Sequence, residues 1–208
     1  MLVVHHLNDS RSHRVLWLLE ELGLHYEVRR YARNAETRLA PPELLAVHPL
    51  GKSPVLTDGD QTIIESGAII DFIVRRHGDG RLQPDPATAQ YDQYQQWLHY
   101  AEGSAMLPLM LRLYTSRLGS AAAPLEPRIN SEIANHLGYI NQSLGENPWL
   151  MGDTFSAADV QMSFIGEVGR AFETLGDLPA LAAWVTRFQA REAYQKALQI
   201  GGPYQFAR

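Results

Sequence analysis

The sequence predicts an α/β half followed by an all-helical half. Three observations predict it. Short strand-like runs are confined to the first part of the chain, they alternate there with helical spacing, and a stretch rich in Gly, Pro and Asp at 78–87 separates them from a region of helical spacing alone.

Leu2–Leu7 is short, partly β-branched, and runs into Asn8-Asp9-Ser10, a turn cluster, so it reads as the first strand. Val15, Leu18, Leu19 and Leu22 then recur at helical spacing, and Gly23 stands where a left-handed residue would close the helix. Tyr26–Tyr31 alternates weakly and completes a βαβ unit. Pro41-Pro42 starts at most a short helix through Leu44, Leu45 and Val47. Pro54-Val55-Leu56 and Thr62-Ile63-Ile64, joined by Asp58-Gly59-Asp60, read as an antiparallel pair. Ser66 opens a helix with an apolar stripe of Ile69, Ile70, Ile73 and Val74. The first domain is therefore expected at 1–79 as βαβ-α-ββα, with a linker at 80–87 and an all-helical domain at 88–208.

In the second domain, Tyr91 to Leu118 has a long helical pattern that Pro108 should kink within the preceding turn, because proline removes a backbone donor and its ring crowds that turn. Ile129, Ile133, Leu137, Ile140 and Leu144 mark one buried helix face. Phe155-Ser156-Ala157-Ala158-Asp159-Val160 has the layout of a capping box with a hydrophobic staple, which predicts a helix start. Leu181, Trp184, Val185 and Phe188 mark one more helix after Pro179.

Composition narrows the function. Among 208 residues, 18 Lys+Arg against 23 Asp+Glu leave a charge of −5, and no run of Lys or Arg exceeds the two residues of Arg29-Arg30 and Arg75-Arg76, so neither nucleic acid nor an anionic membrane is expected as a partner. The absence of cysteine removes disulfides, thiolate metal sites and cysteine nucleophiles. Without a signal-peptide pattern or a long apolar run, a soluble cytoplasmic protein is expected.

Three short segments could carry chemistry. Ser10 reads as a helix N-cap, but a helix start also carries partial positive charge and spare N–H donors, so an anion beside it could take a further bond from the hydroxyl. Lys52-Ser53-Pro54 reads as a turn entering a strand. A cis bond there would turn the Ser53 backbone outward for a ligand. Glu65-Ser66 reads as plain capping at a helix start, or as a polar pair for a ligand.

Asn8-Asp9-Ser10-Arg11-Ser12-His13-Arg14, then His48-Pro49-Leu50-Gly51-Lys52-Ser53-Pro54, then Ile64-Glu65-Ser66-Gly67 follow one another in an order that resembles the N-terminal half of glutathione S-transferases. Phe155–Asp159 resembles the capping box of their helical half, and Ala101-Glu102-Gly103-Ser104 resembles the bacterial and fungal branch related to yeast glutathione transferase I. The resemblance implies a thioredoxin-like first domain and transfer of glutathione to hydrophobic electrophiles without a metal. It also implies a homodimer.

By the same resemblance, Ser10 donates a hydrogen bond to the glutathione sulfur, with Ser12 close enough to compete. Ser53 and the cis-proline Pro54 hold the cysteinyl backbone, Lys52 the glycyl carboxylate, and Glu65 with Ser66 the γ-glutamyl end. Thr37-Arg38-Leu39 stands where relatives carry a His or Gln, which leaves a second contact to the glycyl carboxylate open. Asn8, Met106, Met110 and Tyr114 are expected around the electrophile, with Leu113 on the same helix face, and Glu102 could reach the neighbouring subunit's glutathione. Two alternatives remain: a peroxidase working through bound glutathione, and a glutathione-binding module without catalysis. Thiol-transfer through an enzyme cysteine is excluded by composition.

Overall fold

A computed structural model describes residues 1–207. Its internal contacts divide the chain into two compact units, Met1–Gln83 with Gln189–Arg208, and Pro84–Phe188. The last segment of the chain thus groups with the N-terminal unit, where the sequence reading had run the helical domain on to 208.

The N-terminal unit is built on strand β1 (Leu2–Leu7), buried along its whole length. Helix α1 (Ser12–Leu22) crosses over to β2 (Tyr26–Tyr31), which pairs parallel with β1. A short helix α2 (Glu43–Val47) follows, then the hairpin β3 (Val55–Asp58) and β4 (Gln61–Ile64), with β3 antiparallel to β1 in the register Val4↔Leu56. The sheet order is β2-β1-β3-β4, and α3 (Ser66–His77) closes the module. This is the expected βαβ-α-ββα.

Helix α1 ends in a Schellman turn. Gly23 lies at φ 63, Leu24 N donates to Leu19 O at 3.0 Å and Gly23 N to Glu20 O at 3.2 Å. The helix is buried on more than the predicted stripe, since Leu16 and Trp17 have no exposure either. Their cover includes the C-terminal segment: α9 (Glu192–Gly201) lies against α1, with the Tyr194 ring edge-on to Trp17 and to His13 and the Tyr204 ring stacked on His13. Burying side chains of that size is worth about 1.5–3 kcal/mol each, which gives a helix distant in sequence reason to pack there.

In the helical unit, α4 (Ala89–Tyr100) passes into a π-helical turn over Ala101–Ala105 and then α5 (Met106–Thr115). The interruption falls in the turn before Pro108, where the missing N–H and the bulk of the ring at Ser104 favour a widened turn over a regular one. Helix α6 (Glu126–Leu144) buries the five predicted residues of its stripe. Helix α7 (Ala157–Ala171) is buried from Ala157 to Gly169 and is the centre of this unit. Against it lies α8 (Pro179–Gln189), so close at Gly166 that a Cβ there would meet Val185 Cγ2 at 2.7 Å and Trp184 Cζ3 at 2.9 Å.

The capping box at the start of α7 is present in both directions, Ser156 receiving backbone N–H and Ser156 N donating to Asp159 Oδ2 at 3.0 Å. Asp159 does more than cap. Fully buried, it also accepts at Oδ1 from Leu150 N at 3.0 Å and from Trp184 Nε1 at 2.9 Å, tying the preceding loop and α8 to the helix start. Burial raises its carboxyl to about 6, against the pull of these donors. Phe155 packs edge-on against Trp149. Among the described residues no helix is long and apolar enough to cross a membrane.

Candidate functional site

Strand β1 delivers the chain into a tight turn at Asn8-Asp9, with Asp9 at φ 49, a left-handed conformation that Asp tolerates better than most residues. Side chains pin this turn from several directions. Arg33 N donates to Asn8 Oδ1 at 2.8 Å, Arg38 Nη2 to Asp9 Oδ2 at 2.8 Å, and Gln205 N to Asp9 Oδ1 at 2.9 Å. Arg38, in the segment that leaves a second contact to the glycyl carboxylate open, is therefore already paired with Asp9.

Ser10 follows, 5% exposed. Its Oγ accepts from Ser12 N at 3.2 Å, the capping role read from the sequence, although α1 begins at Ser12 and the N-cap position itself is Arg11, with no side-chain cap bond. The same oxygen lies 2.7 Å from Leu7 O and 2.7 Å from Ser12 Oγ. His13 N and Arg14 N also bond within the turn, to Ser10 O and Arg11 O. With these amides engaged, the helix start acts on an anion through its dipole more than through spare N–H donors.

Ser12 has no exposure. Its hydroxyl lies 2.8 Å from His6 Nδ1 and accepts from Leu7 N at 3.2 Å. Of the two serines, only Ser10 keeps any open surface.

Two further segments are tied to this turn. Arg14, buried on α1, donates from Nη1 to Ser66 Oγ at 3.1 Å, so the first residue of α3 is held to α1. Glu65, just before it, is exposed and sits at φ 66, ψ 120, a conformation that costs a non-glycine residue about 1–3 kcal/mol and persists only where surrounding structure enforces it. Ser53 Oγ donates to His5 O at 2.8 Å, the Ser53–Pro54 bond is cis, and the ladder between β1 and β3 begins only at His5↔Val55. The Ser53 backbone thus lies beyond the last rung, and Lys52 is exposed beside it. Ser10, Ser53 and Ser66 are consequently all bonded to β1 or α1.

The comparisons agree with one another. Residues 1–75 match the model for the glutathione S-transferase N-terminal domain and residues 106–192 the model for its C-terminal domain. Glutathione S-transferase 1 of Saccharomyces cerevisiae is 30% identical over 97% of both chains. A crystal structure of a glutathione S-transferase from Actinobacillus pleuropneumoniae superposes with TM-score 0.90 at 32% identity, covering 100% of this chain and 96% of that one. A glutathione transferase family member from Pseudomonas fluorescens, solved with two glutathione bound, has TM-score 0.80 at 27% identity over 95% of this chain and 92% of its own.

This chain belongs to the glutathione S-transferase family. As a glutathione S-transferase it carries the thioredoxin-like sheet in its N-terminal unit and an all-helical second unit.

Within this glutathione S-transferase, the residues expected around an electrophile lie in different settings. Asn8 spends its side chain on Arg33 N and on Asp9. Met106 is 2% exposed and belongs with Leu109 to the core of the helical unit, Met110 is half-buried, and Leu113 and Tyr114 are exposed. Glu102 sits half-buried in the π-helical turn.

Sequence reasoning missed the Arg14–Ser66 link and the His6–Ser12 contact. Arg14 left a usable signal, since an arginine among Val15, Leu16 and Leu18 on a buried helix requires a partner. His6 left none, because a strand histidine reads the same whether it faces solvent or core. Burial lowers its pKa to about 4 and that of His13 to about 3, so both rest neutral.

Proposed function

We propose that the chain binds glutathione as the thiolate on its N-terminal unit and transfers it to hydrophobic electrophiles, with Ser10 donating the hydrogen bond that holds the sulfur anion. Glutathione transfer is the activity of the family. The reading for Ser10 is carried by one observation: of the two serines at the start of α1 it is the residue that keeps some exposure, 5%, while Ser12 has none and is engaged with His6.

The energies are adequate. A free thiol of pKa about 8.5 is a few per cent ionised at neutral pH, and lowering it by about two units, worth roughly 2.7 kcal/mol, makes most of it thiolate. A charge-assisted hydrogen bond contributes roughly 1.5–3 kcal/mol and the helix end up to about 1. Ser10 must supply the larger part, since the first amides of α1 are already engaged. Its proton turns from the Leu7 carbonyl or Ser12 towards the sulfur when the ligand arrives. Lys52 and the Glu65-Ser66 pair bind the two charged ends of the tripeptide, Ser66 being oriented by Arg14, and the Ser53 backbone pairs with the cysteinyl unit. Further rate comes from holding thiolate and electrophile together.

Spectroscopic titration of bound thiolate tests this. Ser10→Ala should raise the thiolate pKa by one unit or more, by roughly the loss of that bond, and an unchanged value removes Ser10 from the role. Family membership also supports a homodimer, which light scattering checks, and a cytoplasmic location.

A further inference from the structure

His6 is buried in the N-terminal unit, 4% exposed, and is not among the residues proposed above to hold glutathione. We infer that His6 accepts the thiol proton of bound glutathione through Ser12 and Ser10, an inference that rests on the Ser10 reading above.

The geometry is a continuous file: Ser10 Oγ to Ser12 Oγ at 2.7 Å, and Ser12 Oγ to His6 Nδ1 at 2.8 Å. Its direction follows from the far side of the ring. The Gly201 backbone favours the protonated ring, as a carbonyl acceptor does, and Nε2 lies on that side of the ring, 3.2 Å from where a Cβ at Gly201 would stand. In the neutral ring the hydrogen is therefore on Nε2 and Nδ1 is a bare lone pair. Ser12 donates to Nδ1. Its oxygen then offers only lone pairs, one to Leu7 N and one to Ser10, whose hydrogen can point along the file with Leu7 O as its other acceptor.

A thiol placed against Ser10 can empty its proton into this file. The S–H bond breaks as its proton joins Ser10 Oγ, the Ser10 proton passes to Ser12 Oγ, and the Ser12 proton passes to His6 Nδ1. Each serine ends with one hydrogen, one N–H bond has formed, and thiolate and imidazolium replace thiol and imidazole with no change in net charge. Every bond in the file has then reversed without heavy-atom movement: Nδ1–H points to Ser12, Ser12 O–H to Ser10, and Ser10 O–H to the sulfur anion. Bonds aligned in this way polarise one another.

The groups that face His6 keep it neutral in the resting protein, with a pKa of about 4. Burial, Arg30 and the neighbouring His13 disfavour the cation, while the Gly201 carbonyl and Asp9 favour it. A sulfur anion at the end of the file adds what the resting protein lacks. His6 acts through two serines and is a positioning residue.

The test is a proton count. Glutathione is titrated calorimetrically into the intact protein at neutral pH in buffers of different ionisation enthalpy, while the ultraviolet thiolate band reports ionised sulfur; S-methylglutathione, which has no thiol, is the blank. Expected is a full thiolate band with less than half an equivalent of proton released per site. A full band with one proton released overturns the relay and leaves the Ser10 reading standing. Absence of the band removes the Ser10 reading and the relay with it. Ser12→Ala cuts the file while keeping both ends, so proton release should rise to match the thiolate formed, with a thiolate pKa higher by about one unit. Release unchanged from wild type overturns the relay. Imidazole nitrogen NMR of the wild-type protein needs no variant: His6 should become doubly protonated with glutathione and stay neutral with S-methylglutathione, and a neutral His6 in both overturns the inference.

Discussion

Asp159→Ala should be among the most damaging single changes in the helical unit. The carboxylate has no exposure and accepts from Leu150 N, Ser156 N and Trp184 Nε1 at 2.9–3.0 Å. Truncation leaves three donors buried without their acceptor. At about 1–3 kcal/mol for each unsatisfied buried group, the loss is at least ~3 kcal/mol and approaches the whole stability of a marginal domain. Asp159→Asn separates the contributions. Its amide oxygen can still serve Leu150 N and Trp184 Nε1, while its NH2 faces Ser156 N, so about one bond is lost and the cost falls to roughly 1–2 kcal/mol.

Urea unfolding followed by far-ultraviolet circular dichroism gives both values, and tryptophan fluorescence reports the freed Trp184 indole directly. The midpoint should fall in the order wild type, Asn, Ala, with little change in slope. If Asp159→Ala costs less than about 1 kcal/mol, or if Asn is as damaging as Ala, the bonds do not carry the energy assigned to them here.

Gly23→Ala forces a left-handed alanine with open space around its Cβ, so it should cost only the backbone penalty of about 1 kcal/mol, read as a fall in the urea midpoint. Lys52→Ala, at an exposed position, should leave stability within about 0.5 kcal/mol yet weaken glutathione binding roughly tenfold, measured by calorimetry. Acid should loosen the N-terminal unit. His6 and His13 have folded pKa values of about 4 and about 3, below the ordinary 6.5, so the unfolded chain takes up protons that the folded one refuses. Their stabilisation is complete above pH 6.5 and is lost as pH falls towards 4 and then 3. For His6 this amounts to about 3 kcal/mol. A urea midpoint that stays flat between pH 7 and 4 contradicts it.

The alternation of strand and helix patterns, the hairpin at Asp58-Gly59-Asp60, the stripe on α6 and the capping box at Ser156 were all legible in the chain itself. Each is a short-range pattern fixed by side-chain periodicity or by one residue's backbone preference. The segments whose order resembles the family were legible for the same reason, being runs of neighbours that end a strand or start a helix. Other features depend on residues far apart in sequence. The burial of Leu16 and Trp17 required α9, whose own stripe gives no hint of which surface it covers. Asp159 reads as a cap, and only the arrival of Trp184 and Leu150 makes it a three-way tie. Ser10 and Ser12 are alike in sequence, and they differ because a strand histidine lies against the hydroxyl of Ser12, which has no exposure, while Ser10 keeps a little. Local preference can be read along the chain, but the direction of a hydrogen bond between buried groups is decided by which partners the fold brings to each end of it.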